Sequence, residues 1–358
     1  MAYDKQIQQI LDEADDLPSL PGITQKVLQM TLSKDTSLKS ISDVISTDAA
    51  LVMRFLKIVN SAYYGFAAPI NDISQAVAIL GADAIRNVVV TLSLIDVFPI
   101  KINEEYSGLF KRSLCSAVAS GFISEMESGK QSSDVFLAGM LQNLGMYILM
   151  LYLPTRYLKT IKDSRKHFVR LNFMEQIDYG IDHNAIGFII GERWGLPESV
   201  LQAIKYKDKP AMFEKSSSFN ADVLSLIKTT YLGGLTADIY FGWNKAWNIA
   251  RLKKDMLLLM NYDEGTVNDL LAATPHLMQD VGFSDLAGID QIPLYKTMLQ
   301  EADNELVTCW GKSEENYSEF RRLEERVKVN ENDILQYKKE LDSSRQTLQK
   351  FAQKLNPD

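Results

Sequence analysis

The chain has 358 residues, 46% of them hydrophobic and 23% charged, which is the composition of a globular protein with room for about two domains. Its 38 Lys and Arg against 46 Asp and Glu give a formal charge of −8, and no basic run stands out, so the sequence argues against nucleic-acid binding. The two cysteines, Cys115 and Cys309, lie far apart and in no metal-binding spacing, which fits a reducing compartment and argues against a thiolate-zinc site.

No segment has the pattern of a signal peptide or of a membrane helix. The N-terminal MAYDKQIQQILDEADD is acidic and lacks an apolar centre. The most continuous apolar run, 144–153, is far shorter than the roughly 20 residues that a membrane helix needs. We therefore expect a cytoplasmic protein that binds no membrane.

Nearly every segment before residue 310 has apolar residues at spacings of three and four, which predicts an all-α fold. Thr24 is a candidate N-cap of the first helix, and Thr47 or Asp48 of the helix ALVMRFLKIVN. The segment AIRNVVVTLSLID (84–96) is rich in β-branched residues. Because its neighbours are helical and no second strand is available to pair with it, we predict a helix there too.

Several turns divide the predicted helices. YYGFAAPIND, Pro154 and Pro197 mark three of them, and the Ser-rich stretch 207–220 indicates a connection between helical layers. The paired glycines of YLGGL (231–235) suggest a helix end or bend. We expect a core over 1–215, a helical extension over 216–312 packed on that core, and a separate tail over 313–358.

The tail has a strict seven-residue apolar repeat, with a second series offset by three that also includes Ser344. The flanking positions are Glu, Lys, Arg and Gln, which favours an intermolecular coiled coil, most simply a parallel homodimer, over an amphipathic helix packed on its own domain. The predicted seam consists of Phe320, Leu323, Val327, Asn330, Ile334, Tyr337, Leu341, Leu348, Phe351 and Leu355.

Residues with catalytic potential are few. The histidines are His167, His183 and His276, none has another histidine at i+3 or i+4, and no nucleophile motif or Gly-rich phosphate loop occurs. His183, in GIDHNAIGFIIGERW, is the most suggestive, although a packed histidine at a helix start, bonded to a nearby backbone group, would explain it as well. We expect the other two at the surface. The composition therefore argues against an enzyme.

Two further groups of polar residues are conspicuous. Gln142 and Asn143 interrupt the apolar run AGMLQNLGMYIL, where a buried amide must find a hydrogen-bond partner. The segment FLKIVNSAYYGF could form a recognition surface, and a capped helix end with a tight turn explains it equally well. The candidate interaction residues are Asn60, Ser61, Tyr63, Gly65, Arg86 and Asn87, the last two of which could bond across to the turn.

Together these segments resemble the HDOD domain, an all-helical relative of the HD and HD-GYP metal-dependent phosphohydrolases that is found mainly in bacterial signalling proteins. The resemblance rests on LPSLPGITQKVLQM, on ISDVISTDAALVMRFLKIVNSAYYGF, on INDISQAVAILGADAIRNVVVTLSL, and on the regions around Gln142 and His183. It covers roughly 10–215, and Ala49-Ala50 departs from the Asp-Pro-Ala usual in the family. It implies a compact multi-helix HD-like domain, here followed by a long coiled-coil helix.

In the catalytic relatives, a His-Asp pair in an L-x-H-D-I-G-K helix binds the metals. The resemblance places neutral or cationic side chains at most of the ligand positions of this chain, and only one histidine survives. The positions are Arg112, Gln142, Asn143, His183, Tyr206 and Lys207, with the last aspartate falling on Thr230 or Asp238. Amides are weak metal donors and cations repel metals, so the resemblance implies a protein with no catalytic residues, no metal and no cofactor.

The leading interpretation is thus a non-catalytic regulatory module. Its HDOD core would sense a signal or bind a signalling partner, and its coiled coil would dimerise and relay the signal. The alternative is a residual phosphohydrolase, or a nucleotide- or phosphate-binding protein, that uses Arg112, Gln142, Asn143, His183 and Lys207 to line the degenerate pocket.

Overall fold

The computed structural model describes residues 18–33, 35–129, 133–166, 169–208, 219–283 and 292–311, together with Ile7 and Ala287. Within these residues the regular secondary structure is helical, which confirms the all-α prediction; the coiled-coil seam lies outside them. The α-helices are α1 (Gly22–Leu32), α2 (Leu38–Ile45), α3 (Ala49–Val59), α4 (Ile73–Val97), α5 (Glu104–Ser128), α6 (Ser133–Leu141), α7 (Leu144–Tyr152), α8 (Pro154–Lys166), α9 (Leu171–Tyr179), α10 (His183–Trp194), α11 (Glu198–Tyr206), α12 (Ala221–Phe241), α13 (Lys245–Met260), α14 (Glu264–Asp280) and α15 (Tyr295–Gly311).

The structure shows which of the predicted N-cap residues begin helices. Asp48 caps α3 by accepting a hydrogen bond from the Leu51 amide at 3.0 Å. The prediction for Thr24 is wrong, because α1 already begins at Gly22 after Pro21. Thr24 is instead buried, and its hydroxyl is hydrogen-bonded to Ser93 of α4 at 2.6 Å.

The β-branched segment 84–96 is helical, as predicted, and lies within α4. Helices α1, α2 and α3 all pack against α4. Gly81 breaks the helical geometry of α4 with a φ of 78°, a left-handed value that favours glycine. Residues 85–95, after Gly81, are all buried, so tertiary burial overrides their strand propensity.

Helix α5 is the central element of the second half, and α6, α12 and α14 pack against it. The prediction that YLGGL ends a helix is wrong, since both glycines lie inside α12. A Cβ atom at Gly233 would overlap the Ser120 hydroxyl and lie 2.7 Å from the Ser116 carbonyl oxygen. The glycines therefore allow α12 to approach α5 closely.

Residues 1–303 form one compact unit, and 304–358 form a second, of which 304–311 are described. Helices α12, α13 and α14, which belong to the predicted extension, lie in the first unit. Among the described residues, two apolar stretches, 73–97 and 134–152, are long enough to cross a membrane, but 61% and 89% of their most apolar windows are buried inside the protein. The core helices of globular proteins share this property, so neither stretch indicates a membrane span.

Candidate functional site

The two amides lie at the junction of α6 and α7, and both bind α5. Gln142 donates from Nε2 to the Ser116 hydroxyl in a very close contact, and to the Gly139 carbonyl oxygen at 3.3 Å. Asn143 donates from Nδ2 to the Ser113 hydroxyl at 3.2 Å. The exposed fractions of Gln142 and Asn143 are 2% and 1%. Both side chains are thus buried and tied to the central helix.

Gly234 makes room for one of these amides. A Cβ atom at Gly234 would lie 2.8 Å from Gln142 Oε1, so a larger residue on α12 would displace the amide. The packing of α5, α6 and α12 therefore fixes the position that the resemblance assigns to a metal-binding histidine.

Arg112 is ion-paired across the helix bundle. Its Nε donates to Asp238 Oδ1 of α12 at 2.6 Å, and its Nη1 lies 3.4 Å from Met146 Sδ of α7. Burial lowers the pKa of Arg112, but the Asp238 carboxylate more than compensates, and the pKa is raised overall. Of the two residues considered for the last aspartate, Asp238 thus reaches Arg112, whereas Thr230 is a fully buried residue of α12.

His183 begins α10, as considered from the sequence, but the partner of its ring is a carboxylate. Its Nδ1 lies 2.7 Å from Glu175 Oε2, and its backbone amide donates to the same oxygen at 2.9 Å. Tyr157 donates from its hydroxyl to Glu175 Oε1 at 2.6 Å. Burial and the adjacent Glu175 carboxylate hold the pKa of Tyr157 well above its usual value, so this phenol stays protonated and donates.

Of the other two histidines, only His276 lies in the part of the chain that the structure describes. His276 is exposed on α14, as expected, and His167 lies outside the described residues. Glu175 is fully buried but was not singled out from the sequence. The only available signal is that Glu175 lies on the same face of α9 as Leu171 and Tyr179.

Lys207 follows α11 and pairs with its neighbour Asp208. Its Nζ lies 3.2 Å from Asp208 Oδ2, which also accepts a hydrogen bond from Asn184 Nδ2 at 2.8 Å and lies 3.8 Å from His183 Nε2. Burial raises the pKa of Asp208, but the Lys207 ammonium, the nearby His183 ring and the Asn184 hydrogen bond lower it far below its usual value. Asp208 was not identified from the sequence either. The ring of Tyr206 packs against Phe219, with 5.4 Å between ring centroids.

The close packing of Gly145 against α10 brings the amide region and the His183 region together. Helices α7 and α10 pack at Gly145, where a Cβ atom would overlap the His183 carbonyl oxygen and lie 2.9 Å from the Gly187 amide nitrogen. Met146, the next residue, contacts Arg112. The structure therefore places Arg112, Asn143 and His183 around the start of α7.

The residues present do not fit a di-metal centre of the catalytic kind. In the part of the chain that the structure describes, no group of three or more His, Cys, Asp or Glu side chains could hold a metal ion. The carboxylates Asp238 and Asp208 already lie against the cations Arg112 and Lys207. A metal would have to displace these charges, and the neutral amides offer weak donors in return.

The candidate interaction turn is closed by Asn60. Its Nδ2 donates to the carbonyl oxygens of Leu56 at 2.9 Å and of Ile70 at 2.7 Å, and its Oδ1 accepts from the Ile70 amide at 2.7 Å. Gly65 has a φ of 63°, which ends the short 3₁₀ helix Ala62–Tyr64. The turn is therefore held by hydrogen bonds between the Asn60 side chain and the backbone on either side of it.

The turn's aromatic residues pack inward, while Arg86 bonds elsewhere. The Tyr63 ring centroid lies 6.4 Å from that of Phe136. The expectation that Arg86 bonds across to the turn is wrong: it pairs with Asp134 of α6 at 2.7 Å and with Asp83 at 3.0 Å. Asp134 also accepts a hydrogen bond from Ser199 at 2.5 Å, so this ion pair joins α4, α6 and α11.

The candidate positions of the turn differ in exposure, and Asn60 and Gly65 are exposed. Ser61 is half-buried, and a Cβ atom at Gly282 would lie 2.9 Å from its Cβ atom. Asn87 is buried on α4 beside Arg86. The use of this turn as an interaction surface therefore remains a prediction.

Comparison with known proteins shows what this chain is similar to. A family model for the HDOD domain matches residues 17–210. A protein of Treponema pallidum (strain Nichols), described as uncharacterized, is 28% identical over 202 residues, which are 55% of this chain and 38% of that protein. The match thus spans well under half the length of that relative.

Solved structures of similar fold come from several bacteria. A protein of Shewanella amazonensis SB2B, provisionally described as a phosphohydrolase, has a TM-score of 0.61 at 20% identity and covers 78% of this chain and 97% of its own. An HDOD domain protein of unknown function from Geobacter sulfurreducens has a TM-score of 0.54 at 20% identity, covering 85% and 94%. A protein of Marinobacter aquaeolei VT8, provisionally described as a signal transduction protein, has a TM-score of 0.58 at 18% identity, covering 79% and 64%.

At these identities the solved structures show the fold alone. The family model is different, because it spans more than half of the chain and includes the region around Gln142 and His183. The chain belongs to the HDOD domain family.

Proposed function

We propose that this chain is a non-catalytic regulatory protein of bacterial signal transduction, in which the HDOD domain binds a signalling partner. The observation that carries the proposal is the pairing of cations with carboxylates where metals would be needed. Arg112 lies 2.6 Å from Asp238, and Lys207 lies 3.2 Å from Asp208. The site is thereby neutralised by the chain itself.

A metal-dependent phosphohydrolase must activate a water molecule. Two divalent cations lower the pKa of a bridging water and stabilise the charge that develops on the phosphoryl oxygens. A guanidinium and an ammonium bound to carboxylates cannot coordinate that water. Gln142 and Asn143, in turn, are engaged by Ser116 and Ser113. The residues therefore support a structural role for this centre.

The same pairing weakens the alternative of a phosphate-binding pocket. Arg112 and Lys207 are the cations that such a pocket would use, and each already neutralises a neighbouring carboxylate. A phosphate would have to compete with Asp238 and Asp208 for these cations at unfavourable charge. We therefore favour partner binding over anion binding.

The signalling assignment has two further supports. A protein of the same fold is provisionally described as a signal transduction protein. The tail has the heptad pattern of a dimeric coiled coil, through which a change in helix packing can be relayed. We propose a cytoplasmic homodimer.

A hydrolysis assay tests the absence of catalysis. The 358-residue chain, supplied with Mn²⁺ and cyclic dinucleotides, is expected to release no product above a protein-free control, because no water is activated. An HD-GYP phosphodiesterase serves as the positive control. Turnover that increases with protein concentration and disappears in His183→Ala would refute the non-catalytic assignment.

Light scattering tests the coiled coil. The full chain is expected to be a dimer and the chain lacking 315–358 a monomer, because the heptad seam is removed. Leu341→Asp, which places a charge in the seam, is expected to weaken the dimer, whereas Lys339→Asp on the outer face is a matched control with little effect. A monomeric full chain, or a dimer that survives the deletion, contradicts the proposal.

A further inference from the structure

The His183 ring is oriented in the manner of a metal ligand. Its Nδ1 lies 2.7 Å from Glu175 Oε2, while its Nε2 is buried and has no hydrogen-bond partner in the part of the chain that the structure describes. This Nε2 faces Asp208, whose Oδ2 is 3.8 Å away. A carboxylate on one ring nitrogen, with the other nitrogen left open, is how proteins orient histidine toward a cation.

The distance between these two atoms suits a shared cation. Bonds from a divalent metal to imidazole nitrogen and carboxylate oxygen are about 2.0–2.2 Å, so two ligands of one ion lie about 3–4 Å apart. Asn184 adds a third group, since its Nδ2 donates to Asp208 Oδ2 and its buried Oδ1 has no hydrogen-bond partner among the described residues. Asp208 is about one third exposed, so water could complete the coordination.

The Lys207 ammonium lies beside Asp208, where a metal ion would otherwise be bound. Lys207 is buried, with 3% of its side chain exposed, and its Nζ lies 3.2 Å from the same Asp208 oxygen. An ammonium at this distance repels any second cation that approaches the pair. The negative charge of Asp208 is therefore neutralised without a metal ion.

We propose that Lys207 is an internal counter-ion that closes a latent divalent-cation site formed by His183 and Asp208. Removal of the ammonium opens a site for an ion that accepts mixed nitrogen and oxygen ligands, such as Zn²⁺, Co²⁺ or Mn²⁺. The inference rests on the proposed function for its premise that the natural chain takes no metal at this place. It goes further, because it assigns the exclusion of metal to one residue.

Calorimetric titration with Co²⁺, together with the visible absorption of the bound ion, tests this directly. Lys207→Met keeps an unbranched side chain that is one atom shorter and removes its charge, and it is expected to bind one equivalent of Co²⁺ at least about tenfold more tightly than the natural chain. Lys207→Arg, which keeps the charge, is expected to behave like the natural chain. Lys205→Met, two residues earlier and within α11, is the matched control and should leave Co²⁺ binding unchanged.

A further substitution locates the ion. Adding Asp208→Asn to Lys207→Met is expected to abolish the gained binding, since the anionic ligand is lost. If Lys207→Met is poorly folded, Lys207→Gln provides the same test. Equal Co²⁺ binding by the Lys207→Met or Lys207→Gln variant and the natural chain, with both weak, overturns the latent-site inference alone. Tight binding by the natural chain that His183→Ala removes overturns the proposed function as well.

Discussion

Gly145→Ala is expected to destabilise the HDOD domain by about 3 kcal/mol or more, which is the upper range for overpacking a rigid site. The added Cβ atom would overlap the His183 carbonyl oxygen and would lie 2.7 Å from its carbonyl carbon. These are backbone atoms at the start of α10, so they cannot move aside as a flexible side chain can. Urea denaturation followed by circular dichroism measures the free energy of unfolding.

Gly108→Ala provides the matched control. Gly108 lies within α5, and an added Cβ atom would meet nothing within 4 Å. Alanine is the better helix former, so this variant is expected to be neutral or more stable by about 0.5–1 kcal/mol. If Gly145→Ala and Gly108→Ala unfold at the same urea concentration, the contact between α7 and α10 does not have the role assigned to it.

Glu175→Ala is expected to cost about 3–5 kcal/mol, the range found when one partner is removed from a buried charged network. The carboxylate is fully buried, accepts hydrogen bonds from the Tyr157 hydroxyl and the His183 amide, and contacts His183 Nδ1. Alanine leaves these groups buried without an acceptor. Thermal and urea denaturation provide the measurement.

One further variant at Glu175 separates charge from packing, and one variant elsewhere is the control. Glu175→Gln keeps an acceptor oxygen and is expected to cost less than Glu175→Ala. Glu192→Ala, at an exposed position of α10, is expected to stay within about 0.5 kcal/mol of the natural chain. A loss for Glu175→Ala no larger than that for Glu192→Ala would show that the network does not stabilise the fold.

Features that depend on residues close together in the chain could be predicted from the sequence. The apolar spacing predicted the helices, and the β-branched run 84–96 was assigned to a helix because no partner strand exists. Asp48 could be named as a cap because its partner, the Leu51 amide, lies three residues away. Gln142 and Asn143 stood out because amides interrupt a continuous apolar run, and both are hydrogen-bonded to α5.

Contacts between distant segments could not be predicted in this way. Glu175 and Asp208 are ordinary carboxylates in their local context, and their importance arises from His183 and Lys207. Gly233 and Gly234 looked like a helix end because glycine disfavours helices, and only the close approach of α5 explains why they lie inside one. Arg86 reaches Asp134 on another helix, 48 positions along the chain.

Metal content is the most direct test of the central claim that the chain itself neutralises the degenerate site. The 358-residue chain would be purified without chelator, passed over gel filtration, and analysed by inductively coupled plasma mass spectrometry. We expect Mn, Fe, Ni, Co and Zn together to amount to far less than one equivalent per chain, because Arg112 and Lys207 already neutralise Asp238 and Asp208. One or two tightly retained equivalents of a transition metal, lost in His183→Ala, would contradict it.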